Sequence, residues 1–334
     1  MTSISAVVVN REGSGPITVG VERRPTPSLR PGGLLVRPEY VGACGTDLEL
    51  LDGHFEQECP VRYPVVLGHE WSGVVVDVAD DVAGFSSGDL IVGHGALGNN
   101  HWFGLTDDGA MAELFSVSAK LCHRVPAGVS AQRAALVEPL ACVVEAVQKV
   151  GGVDSSHAVA VFGCGTLGLA AVGMMRCTGA SVVAIDPSQQ RRDIASQLGA
   201  QATLDPTSEP GLTAALAREV GVEGADLVVE ASGSPLAQAD ALRVAAHSAR
   251  VLYMGLAHGN AQDVPLRLIQ AHDLKVSSST GAQPSAFPRA LRLMSRSCLD
   301  LTPAVSKVYG FDAVDAAIAS ARAPGESGKV MLRP

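Results

Sequence analysis

The sequence predicts an α/β fold in which a doubly wound parallel sheet is joined to a β-rich, barrel-like domain. Two observations carry this prediction. Between about residues 159 and 280, short apolar strands alternate with segments of helical periodicity, which is typical of a parallel sheet covered by helices on both faces. Residues 5–125 instead alternate apolar and polar side chains between glycine and proline turns, which indicates short antiparallel strands.

The stretch Val159–Gly168 carries the strongest local signal and indicates a buried strand, a glycine turn and the start of a helix. Gly163, Gly165 and Gly168 fit the pattern G-x-G-x-x-G. The first glycine allows a sharp turn, the second a close approach of a pyrophosphate, and the third tight packing of helix on strand. The free N–H groups at the start of the helix face the phosphates. The pattern therefore predicts a dinucleotide site formed by Gly163, Gly165, Thr166, Leu167 and Gly168.

A second strand, Ser181–Ile185, ends in Asp186, 18 residues beyond Gly168. An acidic side chain at this spacing accepts hydrogen bonds from the adenosine ribose, so the sequence predicts NAD as the cofactor. Arg191 follows in the next helix and is a further candidate for cofactor contact. Arg191 and Arg192 could also form a 2′-phosphate site, but Asp186 would repel that phosphate. A solvated helix face is the preferred interpretation of the two arginines.

Glu138-Pro139 marks a change of character and a predicted domain boundary, because Pro139 suits the first position of a helix. Residues 138–284 form the predicted dinucleotide-binding (Rossmann) domain. Residues 1–137 form the β-rich domain. Residues 285–334 are expected to return to it, since the closing strand Lys329–Leu332 has no place in the parallel sheet.

Composition excludes several classes of protein. The formal net charge of −9 over 334 residues argues against nucleic acid and anionic membrane surfaces as partners. An uncharged run of 18 residues, Ala158–Met175, reaches the length of a membrane helix, but its glycines and its strand–turn–helix pattern explain it better. Seven scattered cysteines form no C-x-x-C pair, and the first ten residues show no signal peptide. A reducing, cytoplasmic location is expected.

Two short motifs in the first domain offer metal ligands: Cys44-Gly45-Thr46-Asp47 and, 25 residues from Cys44 to His69, Gly68-His69-Glu70. A catalytic zinc takes about three protein ligands and keeps one position open. Cys44 as a thiolate and His69 as an imidazole are natural ligands, although either alone could be an ordinary buried side chain. Glu70 and Glu138 are the next candidates, each of which could bind the metal or lie just behind its ligands.

With both motifs, the turn Gly88-Asp89 and the glycine pattern in this order, the chain resembles the zinc-dependent medium-chain alcohol and polyol dehydrogenases over essentially its whole length. Glu138-Pro139-Leu140 is more similar to the polyol, sugar and threonine dehydrogenase branch, because the ethanol-type enzymes place a second cysteine ligand in that region. The stretch Val229–Gly233 also resembles bacterial aminocyclitol and polyol dehydrogenases. The resemblance implies a GroES-like catalytic domain. It also implies a homo-oligomer, dimer or tetramer, with sheet edges expected at Ala249–Met254 and Leu274–Ser279.

The resemblance also implies an activity, the transfer of a hydride between NAD and a secondary alcohol, such as a polyol, cyclitol, aminocyclitol or sugar. Cys44, His69 and Glu70 would be catalytic as well as metal-binding, and Thr46 resembles the hydroxyl relay that takes the alcohol proton towards solvent. The position of a relay histidine in some ethanol-type enzymes is Glu49 here, which leaves the outer relay open. Two alternatives are a zinc-free quinone or enoyl reductase of the same fold and a non-catalytic nicotinamide-binding sensor. The Cys44/His69 pair, together with Thr46, argues against both.

One departure from the family concerns a second metal. Family members often carry four closely spaced cysteines after the Gly-Asp turn, which bind a structural zinc. Residues 90–115 contain no cysteine, so one catalytic zinc per chain and no structural zinc is predicted. Packing of Trp102 and Phe103 is expected to hold the loop 94–109 instead.

Overall fold

The computed structural model describes residues 3–54, 60–98, 101–208, 211–221, 223–257, 259, 263–296, 298–323 and 328–334. Cys59, one of the seven cysteines, lies outside these residues. The chain divides into two compact units. The first contains Met1–Glu138 and Val305–Pro334, and the second contains Pro139–Ala304.

Strands are the commonest elements of the first unit, and strands and helices alternate in the second. The strands are β1 (Ser3–Asn10), β2 (Thr18–Pro25), β3 (Gly33–Gly42), β4 (Val65–Val66), β5 (Glu70–Val78), β6 (Leu90–Gly93), β7 (Ala96–Gly98), β8 (His101–Trp102), β9 (Phe115–Ser118), β10 (Cys122–Arg124), β11 (Ala158–Phe162), β12 (Ser181–Ile185), β13 (Ala202–Leu204), β14 (Ala225–Glu230), β15 (Ala245–Tyr253), β16 (Lys275–Ser278), β17 (Val305–Gly310) and β18 (Lys329–Arg333). The helices are α1 (Gly45–Leu51), α2 (Ala131–Ala134), α3 (Val137–Lys149), α4 (Thr166–Arg176), α5 (Gln189–Gln197), α6 (Leu212–Val220), α7 (Pro235–Arg243), α8 (Arg267–Ala271), α9 (Ala286–Met294) and α10 (Val314–Arg322).

The first unit is built on a seven-stranded sheet in the order β10-β6-β5-β3-β18-β17, with β9 also paired to β3. A three-stranded sheet, β2-β1-β4, and the ribbon β7-β8 complete its strands among the described residues. β18 pairs antiparallel with β3, with Met331 opposite Gly42, so the closing strand returns to this unit as the sequence indicates. Side chains of β1, β3 and β5 contribute to one shared apolar core.

The second unit contains a six-stranded parallel sheet in the order β13-β12-β11-β14-β15-β16. All five residues of β11 are buried, because helices cover both faces of such a sheet. The predicted doubly wound fold is confirmed. The uncharged run Ala158–Met175 divides into β11, a turn and α4. In the described part of the chain, no helix combines the length and apolar character needed to cross a bilayer.

Two predicted placements differ from the structure. Residues 285–304 lie in the second unit, whereas the sequence groups them with the first. The reason is packing on α4, since a Cβ at Gly173 would lie 2.9 Å from Leu299 and 3.1 Å from Leu301. Ala249–Met254 is not a sheet edge, because β15 pairs with both β14 and β16; the sheet ends at β16 and β13.

Candidate active site

The pairing of β3 with β5 brings the two ligand motifs of the first unit together. Cys44 follows β3 and caps α1, where its N–H donates to Asp47 Oδ2 at 2.8 Å. His69 and Glu70 stand at the start of β5, and Glu70 lies opposite Gly42 in the antiparallel register. The end of β3 and the start of β5 therefore meet, so ligands 25 residues apart in sequence converge.

Cys44, His69 and Glu70 form a compact group of possible metal ligands. The thiol sulfur, a ring nitrogen and a carboxylate oxygen all lie within 4.8 Å of one another. Donor atoms bound to one zinc at about 2.0–2.3 Å lie at comparable separations, and thiolate, imidazole and carboxylate are its usual ligands. The residues present therefore fit a zinc ion. Glu138, half-buried in the first turn of α3, lies outside this group of described residues.

Asp47 supports the group from behind. Its side chain is 3% exposed, and Asp47 Oδ1 lies 3.4 Å from His69 Nδ1. A carboxylate at one ring nitrogen holds the imidazole in place and leaves the other nitrogen, Nε2, for a metal. Asp47 also accepts the Cys44 N–H. The tertiary structure thus brings one carboxylate to both candidate ligands.

Glu70 is held by a buried partner that the sequence reasoning missed. The ammonium group of Lys329, at the start of β18, forms an ion pair with Glu70 Oε2, and both side chains are 2% exposed. A Cβ at Gly42 would contact the Glu70 carboxylate and would lie 2.6 Å from Lys329 Cε. Glycine at position 42 therefore leaves the space that the ion pair occupies. A lone lysine in an apolar closing strand gives no local signal of a partner so far away in sequence.

The buried charged groups shift one another's pKa values. Burial and the Glu70 carboxylate raise the pKa of the Cys44 thiol, while His69 and Lys329 oppose that change. Burial alone would lower the pKa of His69, but Asp47 and Cys44 raise it well above its usual value. Burial likewise opposes the charge of Lys329, yet Glu70 and Cys44 raise its pKa. A cation between the thiol and the imidazole would favour the thiolate that a metal requires.

Thr46 lies in the first turn of α1, where its Oγ1 accepts a hydrogen bond from the Cys44 thiol at 3.7 Å. Its hydroxyl is thus beside the group of possible metal ligands. Both roles predicted for this motif, a sulfur ligand and a hydroxyl relay, are compatible with one short turn.

The three glycines of the turn between β11 and α4 differ in the space that a side chain would find at each position. Gly163 has a φ of +84°, and a Cβ there would lie 2.7 Å from Ser232. A Cβ at Gly168 would collide with the Gly163 carbonyl. At Gly165 a Cβ would meet nothing within 4 Å, so the second glycine borders open space. The turn is therefore shaped as a dinucleotide turn requires, with Thr166 and Leu167 beginning α4 behind it.

Asp186 is buried at the end of β12 and already holds the glycine turn. Its Oδ2 accepts the Cys164 N–H at 2.7 Å, and its Oδ1 accepts the Ser188 N–H at 2.8 Å. Arg191 Nη1 lies 4.0 Å from Asp186 Oδ2. The expectation of a solvated face was wrong for Arg192, which is 8% exposed and donates to the Asp186 carbonyl. Arg192 Nη1 also lies 3.4 Å from Asp205, which gives the buried guanidinium its counter-charge.

Glu230 is a second buried acid that sequence reasoning missed. It ends β14 and is 0% exposed, and its Oε1 accepts the N–H groups of Ser232 at 2.8 Å and Gly233 at 3.0 Å. Ser232 in turn packs against Gly163. The acid at the end of a strand, followed by Ala-Ser-Gly-Ser, is the signal that could have indicated this turn.

Aromatic packing holds the segment in which the family's structural zinc would be expected. Phe103 is 4% exposed, and its ring centroid lies 6.1 Å from Trp71 and 5.5 Å from Phe115. Trp102 is partly buried against the same core. His101 Nδ1 lies 2.8 Å from Asp107 Oδ2. The predicted packing of Trp102 and Phe103 is confirmed.

Comparison with known proteins places the chain in a family. The models described as zinc-binding dehydrogenase and as alcohol dehydrogenase GroES-like domain match residues 166–296 and 30–127. An L-threonine 3-dehydrogenase from Streptomyces avermitilis is 32% identical, over 92% of this chain and 94% of the relative. The chain belongs to the zinc-type medium-chain alcohol and polyol dehydrogenases. A sorbitol dehydrogenase from Halalkalibacterium halodurans is 26% identical over 99% of both proteins.

Solved structures agree with this membership. A putative zinc-binding dehydrogenase from Sinorhizobium meliloti, bound to NADP, superposes with a TM-score of 0.89 at 28% identity over 100% of both chains. The 2R,3R-butanediol dehydrogenase from Bacillus subtilis gives 0.88 at 25% identity over 99% of both chains. The predicted family, fold and enzyme class are thereby confirmed, and with them a zinc ion and a nicotinamide dinucleotide as cofactors of this medium-chain dehydrogenase.

The Glu70–Lys329 pair yields a stability prediction. Replacing Lys329 by Met leaves a buried carboxylate without its counter-charge, which should lower the free energy of unfolding of the zinc-free protein by about 3–5 kcal/mol. Added zinc should restore part of that loss, because a cation would again face Glu70. Denaturant unfolding with and without zinc measures both effects. Lys307→Met, at an exposed position of β17, is the matched control and should change stability by less than about 0.5 kcal/mol. Equal unfolding midpoints for the two variants would contradict the prediction.

Proposed function

We propose that the protein is an NAD-dependent dehydrogenase with one zinc per chain that oxidises a secondary alcohol of a polyol, cyclitol, aminocyclitol or sugar. The observation that carries the proposal is the convergence of Cys44, His69 and Glu70 beside the Thr46 hydroxyl. Relatives named for sorbitol, for 2-dehydro-3-deoxy-L-galactonate and for L-threonine support a hydroxylated substrate of this kind.

In this proposal Cys44 and His69 hold the zinc, with a carboxylate from Glu70 or Glu138 as the third ligand or as a support behind the ligands. When bound, the zinc acts as a Lewis acid that lowers the pKa of a substrate hydroxyl. Thr46 accepts the proton that this hydroxyl releases and passes it on towards solvent. Asp47 keeps the His69 ring oriented. Lys329 balances the Glu70 charge in this buried position.

The cofactor proposal rests on the second unit. Gly163, Gly165 and Gly168, with Thr166 and Leu167, surround the pyrophosphate, and the start of α4 supplies backbone N–H donors. Asp186 receives the adenosine ribose, since each of its oxygens keeps a lone pair beyond the backbone bond that it accepts. Arg191 lies beside Asp186 and contacts the adenosine end of the cofactor.

We further propose a cytoplasmic homo-oligomer, dimer or tetramer. All six cysteines of the described part of the chain are free thiols, which supports a reducing compartment. β16 stands at one end of the parallel sheet with mostly exposed side chains, so an edge strand is available for pairing between subunits.

A screen for NAD⁺ reduction tests the proposed activity. Zinc-loaded protein is offered polyols, inositols, amino-inositols and L-threonine, and Thr46→Val serves as the relay-deficient control. Loss of the hydroxyl should lower kcat/KM by about 10²–10⁴-fold with zinc still bound, whereas Thr46→Ser should keep much of the activity. Turnover of a quinone or enoyl substrate, together with no turnover of any alcohol, would favour the hypothesis of a zinc-free reductase. NAD binding without any turnover would favour the sensor. Full activity of Thr46→Val would remove Thr46 from the mechanism.

The metal content is a separate prediction. One tightly bound zinc per chain is expected, because the segment between Leu90 and Leu121 contains no cysteine and is held by aromatic packing and the His101–Asp107 pair. Elemental analysis of dialysed protein should give one zinc, and a Cys44→Ser/His69→Ala double variant should give none. Two zincs in the parent protein, or full zinc in the double variant, would contradict it. Loss of zinc from Glu138→Ala but not from Glu70→Ala, or the reverse, identifies the carboxylate ligand.

Cofactor choice gives a further prediction. The Asp186 carboxylate should repel the 2′-phosphate of NADP, so kcat/KM should be higher for NAD⁺ than for NADP⁺. Asp186→Asn keeps a hydrogen-bonding side chain but removes the charge, and should lower the NAD⁺/NADP⁺ ratio by about tenfold, or about 1.4 kcal/mol. Arg267→Ala, on the exposed face of α8, controls for a change of charge elsewhere in the same unit. A parent enzyme that uses NADP⁺ as well as NAD⁺ would refute this assignment of Asp186.

A further inference from the structure

A cavity between α3, α4 and α9 of the second unit is bordered by three arginines. Its volume is about 340 Å³, which lies within the range of about 300–1,000 Å³ that is usual for small-molecule sites. Met174, which lines the cavity, lies near the C-terminal end of α4, about 12 Å along the helix from Thr166. The cavity is therefore separate from the dinucleotide turn, which precedes Thr166.

The inner surface of the cavity is apolar. Val144 and Val147 of α3 and Met174 of α4 line it, and all three side chains are buried. Leu293 of α9 is half-buried beside them. Because these side chains come from three packed helices, the floor of the cavity has a fixed shape. An apolar group placed there would be removed from water, which is favourable.

The outer border of the cavity is formed by arginines. Arg289, Arg292 and Arg296 follow one another at spacings of three and four residues, so they lie on one side of α9 and of the turn that extends it. The Arg296 N–H donates to the Leu293 carbonyl at 3.0 Å, which continues the helix beyond its last full turn. Arg292 and Arg296 are exposed, so their guanidinium groups can meet a ligand that enters from solvent.

This border carries three positive charges without an acidic partner in the described part of the chain. Among the described residues, no Asp or Glu lines the cavity, and none of the ion pairs includes Arg289, Arg292 or Arg296. A cation in the last turn of a helix gains from the helix dipole, but like charges one turn apart repel each other. The dipole therefore accounts for one arginine and not for three around one cavity. In a chain of net charge −9, this local excess of positive charge favours an anionic ligand.

Hydrogen bonds already position two polar groups of the cavity. Arg289 donates to Gln148 Oε1, which joins α9 to α3 and holds that guanidinium in place. The Thr178 hydroxyl donates to the Met175 carbonyl at 2.7 Å, so its proton is already used. The guanidinium groups are therefore the donors that an anion would contact.

We propose that this cavity binds a small phosphate monoester with an apolar body. The phosphate lies among the guanidinium groups of Arg289, Arg292 and Arg296, and the apolar body lies against the floor of the cavity. A phosphate monoester carries about −1.5 to −2 charges at pH 7 and three acceptor oxygens, so it matches three guanidinium groups better than a monocarboxylate does. This site is additional to the zinc site and the dinucleotide turn, and it does not depend on the proposed alcohol oxidation.

Hexyl phosphate is the probe that tests the site. The sample is the full-length, zinc-loaded protein saturated with NADH, so that the dinucleotide turn is occupied. Titration calorimetry should show one hexyl phosphate bound per chain, at least about tenfold more tightly than inorganic phosphate, which has no apolar group to bury. Hexanoate should also bind more weakly, because it carries a single charge. Absence of binding, or equal affinity for hexyl phosphate and inorganic phosphate, would overturn the proposal.

Charge reversal at one arginine locates the bound phosphate. Arg292→Glu should weaken the binding of hexyl phosphate by at least about tenfold, and Arg296→Ala should weaken it in the same direction. Arg267→Glu makes the same change of charge at an exposed position of α8 and should alter the affinity by less than about twofold. The affinity of the parent protein should fall as salt rises. Unchanged affinity in Arg292→Glu, or an equal loss in Arg267→Glu, would exclude this cavity as the binding site.

Discussion

The ammonium group of Lys329 and the carboxylate of Glu70 face each other in the interior of the first unit, where an unpaired charge would cost several kcal/mol of desolvation. Several features of the site follow from this pairing. β18 must return to β3 so that Lys329 reaches Glu70, and Gly42 must lack a side chain so that the pair has room. Lys329 thus supplies the counter-charge to the Glu70 side chain beside Cys44 and His69. The pairing thus links the last strand of the chain to the ligands near its start.

The other buried acids also have polar partners that compensate for their burial. Asp47 accepts the Cys44 N–H and lies beside His69, so one carboxylate orients two candidate ligands. Asp186 follows β12 and Glu230 ends β14, the two strands on either side of β11, and each accepts backbone N–H groups of the turn that follows or adjoins it. In both units, buried acids satisfy backbone donors of tight turns, and the same turns carry the groups proposed for chemistry. Structure and function are therefore difficult to separate at these positions by alanine substitution alone.

The segment after α9 illustrates how one packing contact can assign a segment to a unit. Its amphipathic helix gave no indication of which unit it covers, and the sequence grouped it with the first. Gly173 on α4 provides the close approach that Leu299 and Leu301 fill.

The sequence by itself determined the parallel sheet, its glycine turn and the strand that leads to Asp186, because each depends on residues close together in the chain. Periodicity and short-range spacing record such local geometry directly. The resemblance to the family added the pair Cys44 and His69, which the pairing of β3 with β5 brings together. Only the tertiary structure decided that Lys329 faces Glu70, that Arg192 is buried between Asp186 and Asp205, and that β15 is internal to the sheet. These contacts join residues distant in sequence. These contacts form only once strand register and helix packing are set. The residues around each position in the sequence do not specify either of them.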